Sequence, residues 1–346
     1  MRVATTIVSD RFAHSAELAR AAEQAGYDTA LTTENQHEPF LPLAAATLTT
    51  KTIGLGTAVA IAFPRSPMVV ANASWDLHLS SAGRFVLGLG SQVKGHNVRR
   101  FSVPWSPAAP RMREYVESLK AIWRCWEHGE KLDYRGEHYQ FSLMPPNFTP
   151  AASGMGLVPV TIAAVGPAML RVAGHVCDGV RLHPFCTRKY LENVVVPQLQ
   201  TGFQRGGRAR ETFEISGGGF LVTGADDATV AKNLEWVRLR VAFYGSTRSY
   251  FPVFEEHDLL DLGEKLYRMS VDGQWDQMAA QISDEVVHLF AAVGRHDQIT
   301  AAVEKHFGGI SDTIAETIAH NANPSLSPEL VQDLKRLPSS FTGYQS

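Results

Sequence analysis

Chemistry is most concentrated in "VTIAAVGPAMLRVAGHVCDGV", Val160 to Val180. An apolar run ends at Ala164, Gly166-Pro167 follows, and a helical pattern starts at once. Pro167 suits the first helical position, where a missing N–H costs nothing. Gly166 lets the backbone approach a ligand closely. Free N–H groups and the positive helix end would together hold an anion. The same residues also read as an ordinary strand-to-helix turn that uses Gly-Pro for geometry alone.

Histidines form the second set. His37, in "TTENQHEPFLP", could take the hydroxyl proton of an alcohol as hydride leaves its carbon. It could equally bond a backbone carbonyl. His183 ends "RLHPF" at a strand end, which favours a site role. His96, in "GSQVKGHNVRRF", reads equally as a ligand contact or as a solvated helix start. Glu34 reads as an anchor for Asn35 or His37. The Gln92 amide suits ring carbonyl and N–H groups, or polar surface. Arg99 and Arg100 diverge by about 100° on a helix, so one of them is expected to pack or pair locally. Trp105 and Trp126 read as helix packing. "FYGSTRSYFPVF", Phe243 to Phe254, is the candidate substrate wall.

Other chemistries are missing from the pattern. No strand end carries the spaced carboxylates of a hydrolase or a divalent-metal site, and neither GxSxG nor HExxH occurs. The three cysteines, Cys125, Cys177 and Cys186, form no CxxC pair, so no metal site is expected and the chain reads as cytoplasmic. A net charge of −3 offers no basic field for nucleic acid. No apolar run is long enough to span a membrane, and no leader pattern precedes "RVATTIVSD". A small-molecule substrate and a bound organic cofactor remain, with backbone N–H groups for phosphate and apolar walls for a flat ring.

These residues must be placed by the elements around them. Strand candidates are "RVATTIV", "TALTT", "IGLGTAVAI", "FVLGLG", "PVTIAA", "GVRLH", "FEISGGGFLV" and "DTIAETI". Most are continuous apolar runs, as in parallel sheets covered by helices on both faces. Eight strand–helix units across residues 1–346 predict a (β/α)₈ TIM barrel as one domain, with an open doubly wound sheet as the other reading. Two segments exceed a barrel's needs. One, about 132–156, follows the fourth helix and contains the hairpin candidate "YRGEHYQF". The other, about 244–284, is placed between the seventh helix and the eighth strand.

Four segments together resemble the bacterial luciferase-like superfamily, in its branch using the deazaflavin coenzyme F420. They are "ENQHEPFLPLAAATLTTKTIGLGT", "GTAV" with "FPRSPMVVANASWDLHLSSAGRFVLGLGSQ", "RRFSVPWSPAAPRMREYVESLKAIW" and "AAVGPAMLRVAGHVCDGV". The resemblance implies a non-prolyl cis peptide at Ala58–Val59 behind the deazaflavin ring. It implies that Asn35, Gly90, Ser91, Gln92 and His96 lie by the ring and ribityl chain. It implies that Ala163, Ala164, Val165, Gly166 and Pro167 hold the ribityl phosphate, with Met169 in the next helical turn. It further implies a homodimer through the helices near Pro42–Thr50 and Pro67–Ser81. Sugar-phosphate dehydrogenases of this branch set a histidine directly after an acidic residue, and a glutamate in the fourth-strand loop. Here Asn35 follows Glu34, and Val93 takes the glutamate's place, so that acid/base pair and that substrate do not transfer. The expected activity is hydride transfer between coenzyme F420 and a small organic substrate. His37 is the first candidate for the proton relay, His183 the second, and Glu34 orients. An FMN-dependent monooxygenase and a non-catalytic flavin-binding protein are the alternatives.

Overall fold

The computed structural model describes residues 1–7, 10–316 and 325–345. Parallel pairing runs without a break around a ring of strands. In chain order these are β1 (Arg2–Thr6), β2 (Thr29–Thr32), β3 (Gly54–Thr57) with β4 (Ala60–Ile61), and β5 (Phe85–Gly90). A hairpin, β6 (Tyr134–Arg135) and β7 (Gln140–Phe141), stands apart from them. The ring continues with β8 (Val160–Ala164), β9 (Gly179–Leu182) and β10 (Glu214–Gly217). β11 (Phe220–Gly224) and β12 (Ala291–Arg295) form a second, two-stranded sheet, and β13 (Thr313–Ala315) completes the ring. β13 pairs with β1 and β10, and β3 pairs with β2 and β5, so an eight-staved barrel closes. The first and last expected strands extend over Val8, Thr317 and Ile318, which lie outside the described residues.

The staves are short and almost wholly buried, as a parallel sheet sheathed in helices requires. α1 (Phe12–Gln24) buries Ala16, Ala19 and Ala22 at one-turn spacing. α2 (Phe40–Thr47) and α3 (Pro67–Ser80) follow β2 and β4. α3 begins on Ser66, whose side chain accepts from the Met68 N–H. α4 (Lys94–Arg99) is one short turn after β5, and α5 (Ala108–His128) is the long helix that ends on left-handed Gly129. α6 (Pro167–Val176) follows β8. No helix among the described residues is long and apolar enough to cross a membrane.

Two expectations change in detail. "FEISGGGFLV" is not one strand. It breaks at Gly218–Gly219, and Phe220–Gly224 leaves the barrel to pair with β12. The late excursion therefore runs from Phe220 to Arg295 and contains the long helix Asp227–Gly245. The end of that expected strand, "LVTG", therefore belongs to this side sheet and not to the mouth. The cause is local: Gly217 and Gly218 both adopt positive φ, which an extended strand does not. Trp126 packs in the core edge-on to Trp75, as expected. Trp105 does not: it sits in the loop before α5, 38% exposed.

The barrel interior is unusually polar. Gly88 faces inward, where a Cβ would lie 1.9 Å from the Thr57 carbonyl oxygen and 2.7 Å from Arg181 Nε. The guanidinium of buried Arg181 occupies space that side chains would normally fill. Below it lies Glu214, also buried, with Thr313 donating to its Oε1 at 2.5 Å and the Tyr344 hydroxyl donating to Oε2. Burial raises the Glu214 pKa, but Arg181, Arg2 and these donors outweigh it and hold the carboxyl below its ordinary range.

Candidate active site

The carboxyl ends of the staves meet at one mouth. The third stave is interrupted there by a cis peptide at Ala58–Val59. Both residues are half-buried. Val59 leans on Gly90 of β5, where a Cβ would come within 2.6 Å of Val59 Cγ2. Any side chain at position 90 would have to displace the Val59 side chain. Glu34 braces the strand just past the bulge: Oε2 accepts from the Ile61 N–H at 2.7 Å and from Arg65 at 2.7 Å. Glu34 thus holds Arg65 and the backbone behind the bulge, where Asn35 or His37 was the expected partner. Arg65 also reaches Glu38, which in turn accepts the N–H groups of Phe40 and Leu41 at the start of α2.

The loop after β5 comes next. Gln92 takes a left-handed conformation, φ 55°. Its Oε1 accepts from the Val93 N–H at 2.9 Å, which leaves the amide Nε2 as its outward donor. Asn97 is buried and ties α4 down, donating to the carbonyls of Ser91 (2.9 Å) and Val93 (3.2 Å). His96 and His37 are exposed, and among the described residues neither ring has a polar partner. Arg100 donates to the Asn35 carbonyl at 2.8 Å, tying the β5 loop to the β2 loop.

On the adjoining stave, Ala163 and Ala164 end β8. The Val165 carbonyl accepts from the Tyr190 hydroxyl at 3.0 Å, which holds the strand-to-helix turn in place. Gly166 is extended (φ −80°, ψ 158°), and Pro167 opens α6 with no side chain capping it. The space a Gly166 Cβ would occupy is open to 4 Å. The first turn thus presents backbone N–H groups outward. Met169 packs against the core.

His183, after β9, has a different setting. Its Nδ1 accepts from the Phe185 N–H at 2.9 Å, so in the neutral ring the proton sits on Nε2. Burial pushes its pKa down to about 4. Tyr244 and Tyr250 of the excursion contact the ring at centroid distances of 4.3 and 4.8 Å. His183, Phe185, Tyr190 and Val165 border one small cavity. Phe185 is sealed by Phe254 and Phe290 at 5.1 and 4.5 Å. So from "FYGSTRSYFPVF" only Tyr244 and Tyr250 meet His183, while Phe254 is core and Phe243 turns toward Trp275. Sequence reasoning missed Arg65, Tyr190 and Arg181. Arg65 stands in the "FPRSP" stretch quoted above, but its partner Glu34 is far away in sequence.

The luciferase-like monooxygenase family model matches residues 1–311. This chain belongs to the luciferase-like monooxygenase family. It is 42% identical over 329 residues to an uncharacterised Mycobacterium tuberculosis protein, spanning 95% of this chain and 96% of that one. It is 28% identical over 307 residues to the 5,10-methylenetetrahydromethanopterin reductase of Archaeoglobus fulgidus, spanning 86% and 87%. The coenzyme F420-dependent tetrahydromethanopterin reductase of Methanopyrus kandleri has the same fold, with a TM-score of 0.76, 17% identity and 97% of each chain covered. A type II Baeyer–Villiger monooxygenase of Pseudomonas putida, in complex with FMN, shares the fold at a TM-score of 0.64, 16% identity and 97% coverage of each. The luciferase-like chain described here is thus a member of an oxidoreductase family on a closed barrel.

Proposed function

We propose that this chain is a coenzyme F420-dependent oxidoreductase acting on a small organic substrate. The observation that carries the reading is the pair of features at the mouth: the Ala58–Val59 bulge seated on Gly90, and the uncapped Gly166-Pro167 helix start. A flat ring fits against the first and a phosphate against the second. A Mycobacterium tuberculosis relative named as a putative coenzyme F420-dependent oxidoreductase, and the shared fold of the F420-dependent Methanopyrus reductase, support the deazaflavin. When bound, that cofactor supplies two-electron hydride chemistry.

The chain's residues supply position and protons. Ala58, Val59 and Gly90 back the ring, with Asn35, Ser91, Gln92 and His96 beside it. Ala163, Ala164, Val165 and the N–H groups following Gly166 hold phosphate, with Pro167 and Met169 fixing that turn. His183, neutral with its proton on Nε2, donates a hydrogen bond to a substrate oxygen and polarises it. His37, standing in water, exchanges the balancing proton with solvent. Glu34 positions Arg65 and the bulge rather than moving protons. Tyr244 and Tyr250 wall the substrate and exclude water from His183.

Gel filtration after incubation with each cofactor tests the reading. Retained absorbance in the deazaflavin band, with little retained FMN, is expected. FMN retention at micromolar concentration without deazaflavin retention would replace this reading with the FMN monooxygenase one, which the shared fold of the Pseudomonas FMN complex favours. A homodimer is also proposed. Leu41 and Leu48 at α2, and Val69 and Leu79 on α3, are exposed apolar residues on adjacent helices. A dimeric mass by light scattering is expected at micromolar concentration, and a monomeric mass refutes it.

A further inference from the structure

Arg181 lies in the barrel interior, 8% exposed. Its Nε–H has no partner, and no hydrogen bond among the described residues uses its terminal nitrogens. A guanidinium is a donor only, and it stays charged. Burying one with its donors idle costs free energy unless something else accepts from them.

The protein does not supply that acceptor. Glu214 lies below, but Thr313 and Tyr344 donate to its two oxygens, and Arg2 stands 3.7 Å from Oε1. Arg181 acts on Glu214 through its field, with no hydrogen bond between them. Burial keeps the Tyr344 phenol neutral, its pKa raised well above the ordinary value. Two cations thus face one carboxylate. Arg2, at the start of β1, keeps part of its side chain in water, whereas Arg181 does not. The positive charge in excess therefore sits on Arg181.

That charge lies directly beneath the mouth. Arg181 stands two residues before His183 on β9. Its side chain crosses toward β3 and β5: a Cβ on Gly88 would lie 2.7 Å from Nε and 1.9 Å from the Thr57 carbonyl oxygen, and one on Gly56 would lie 3.4 Å from a terminal nitrogen. Thr57 immediately precedes the Ala58–Val59 bulge. Glycines on two staves leave the guanidinium room under the surface assigned above to the ring. Ser216 on β10 is paired with Arg181 in register, so its side chain points to the same face. Its hydroxyl is likewise buried and makes no hydrogen bond among the described residues.

We propose that Arg181, assisted by Ser216, donates hydrogen bonds to the oxygen-bearing pyrimidine edge of the deazaflavin ring and favours the reduced ring over the oxidised one. The assignment rests on the coenzyme F420 reading above. When hydride leaves an alcohol carbon, both electrons of the broken C–H bond enter a new C–H bond on the ring. The ring gains one negative charge, spread over its pyrimidine edge. The hydroxyl proton passes to solvent, and the substrate carbon becomes a carbonyl. A buried guanidinium stabilises that charge more than water would.

Titration with oxidised and, without oxygen, with reduced coenzyme F420 tests this. The readout is the ratio of the two dissociation constants, which an arginine of purely structural role would not move. Arg181→Met should lower the preference for the reduced cofactor about tenfold or more. Arg181→Lys keeps the charge and should restore part of that preference. Should Arg181→Met fail to fold with Glu214 left uncompensated, Arg181→Met/Glu214→Gln removes both charges and carries the same expectation. An unchanged ratio in the folded charge-free variant overturns the proposal and leaves the F420 reading standing. If wild type binds neither form, the F420 reading fails and this proposal fails with it.

Discussion

On the β2–β5 flank of the mouth, His37 in the β2 loop and Lys94, His96, Arg99 and Arg100 on and just after α4 are exposed. On the β9 flank, His183 is wedged against two tyrosines, and Phe185 is sealed beneath the excursion by Phe254 and Phe290. Both flanks offer a histidine, but the surroundings give the two rings different chemistry. The dry flank keeps its imidazole neutral and fixes the proton on Nε2. The wet flank leaves its rings exposed, with no polar partner among the described residues. Residue type says what a group can do, and packing selects which of those things it does.

The dry flank should break first. Phe185→Ala removes a fully buried ring that anchors the excursion, so it should cost about 3–5 kcal/mol by chemical denaturation. Arg99→Ala is the control and belongs at the other end of the scale, within about 0.5 kcal/mol of wild type. A comparable loss in both variants would abolish the contrast.

Kinetics should sharpen it. His183→Ala should lower kcat by about 10²-fold, typical of a lost preorganised donor, with the pH profile kept. His37→Ala should also lose about 10²-fold, but with a changed pH profile, because a proton-transfer group is removed. If the profile moves in the His183 variant instead, the roles are reversed. Near-full turnover in the His37 variant reduces that histidine to a loop residue.

A smaller effect lies in acid stability. Burial lowers the His183 pKa from about 6.5 to about 4. Between those values the unfolded chain binds a proton that the folded chain refuses, so stability falls as pH drops through that window. His183→Asn, which keeps an acceptor for the Phe185 N–H, should reduce this loss by about 1–3 kcal/mol. Part of the slope should survive, since burial also lowers His306 to about 4. Denaturation midpoints at pH 7 and 4.5 would check both.

Much of the frame was legible because continuous apolar strands and helical periods are local signals. The barrel, the hairpin at Tyr134–Phe141 and the Gly-Pro helix start could all be read within windows of a dozen residues. The cis peptide at Ala58–Val59 came through resemblance rather than through any rule of spacing. What escaped depends on distant partners. Glu34 and Arg65 are 31 positions apart, and neither announces the other. "GVRLH" reads as a buried strand, but nothing in it says that Arg181 fills a core hollowed by glycines in other staves. The excursion's true start was hidden because "FEISGGGFLV" carries strand-like residues on both sides of its glycines.

Those inward glycines have a consequence for how such an enzyme changes over generations. At Gly88 the first carbon of any side chain would overlap the Thr57 carbonyl, and at Gly90 it would strike Val59. The bed beside Gly88 is thus main chain, which point substitution cannot recontour without disrupting the stave. A saturation library spread over the mouth should return almost no folded members at Gly88, and at Gly90 only those in which the Val59 side chain gives way. New specificities should instead accumulate at Tyr244 and Tyr250. Inheritance in this barrel is rigid at the floor and plastic at the walls.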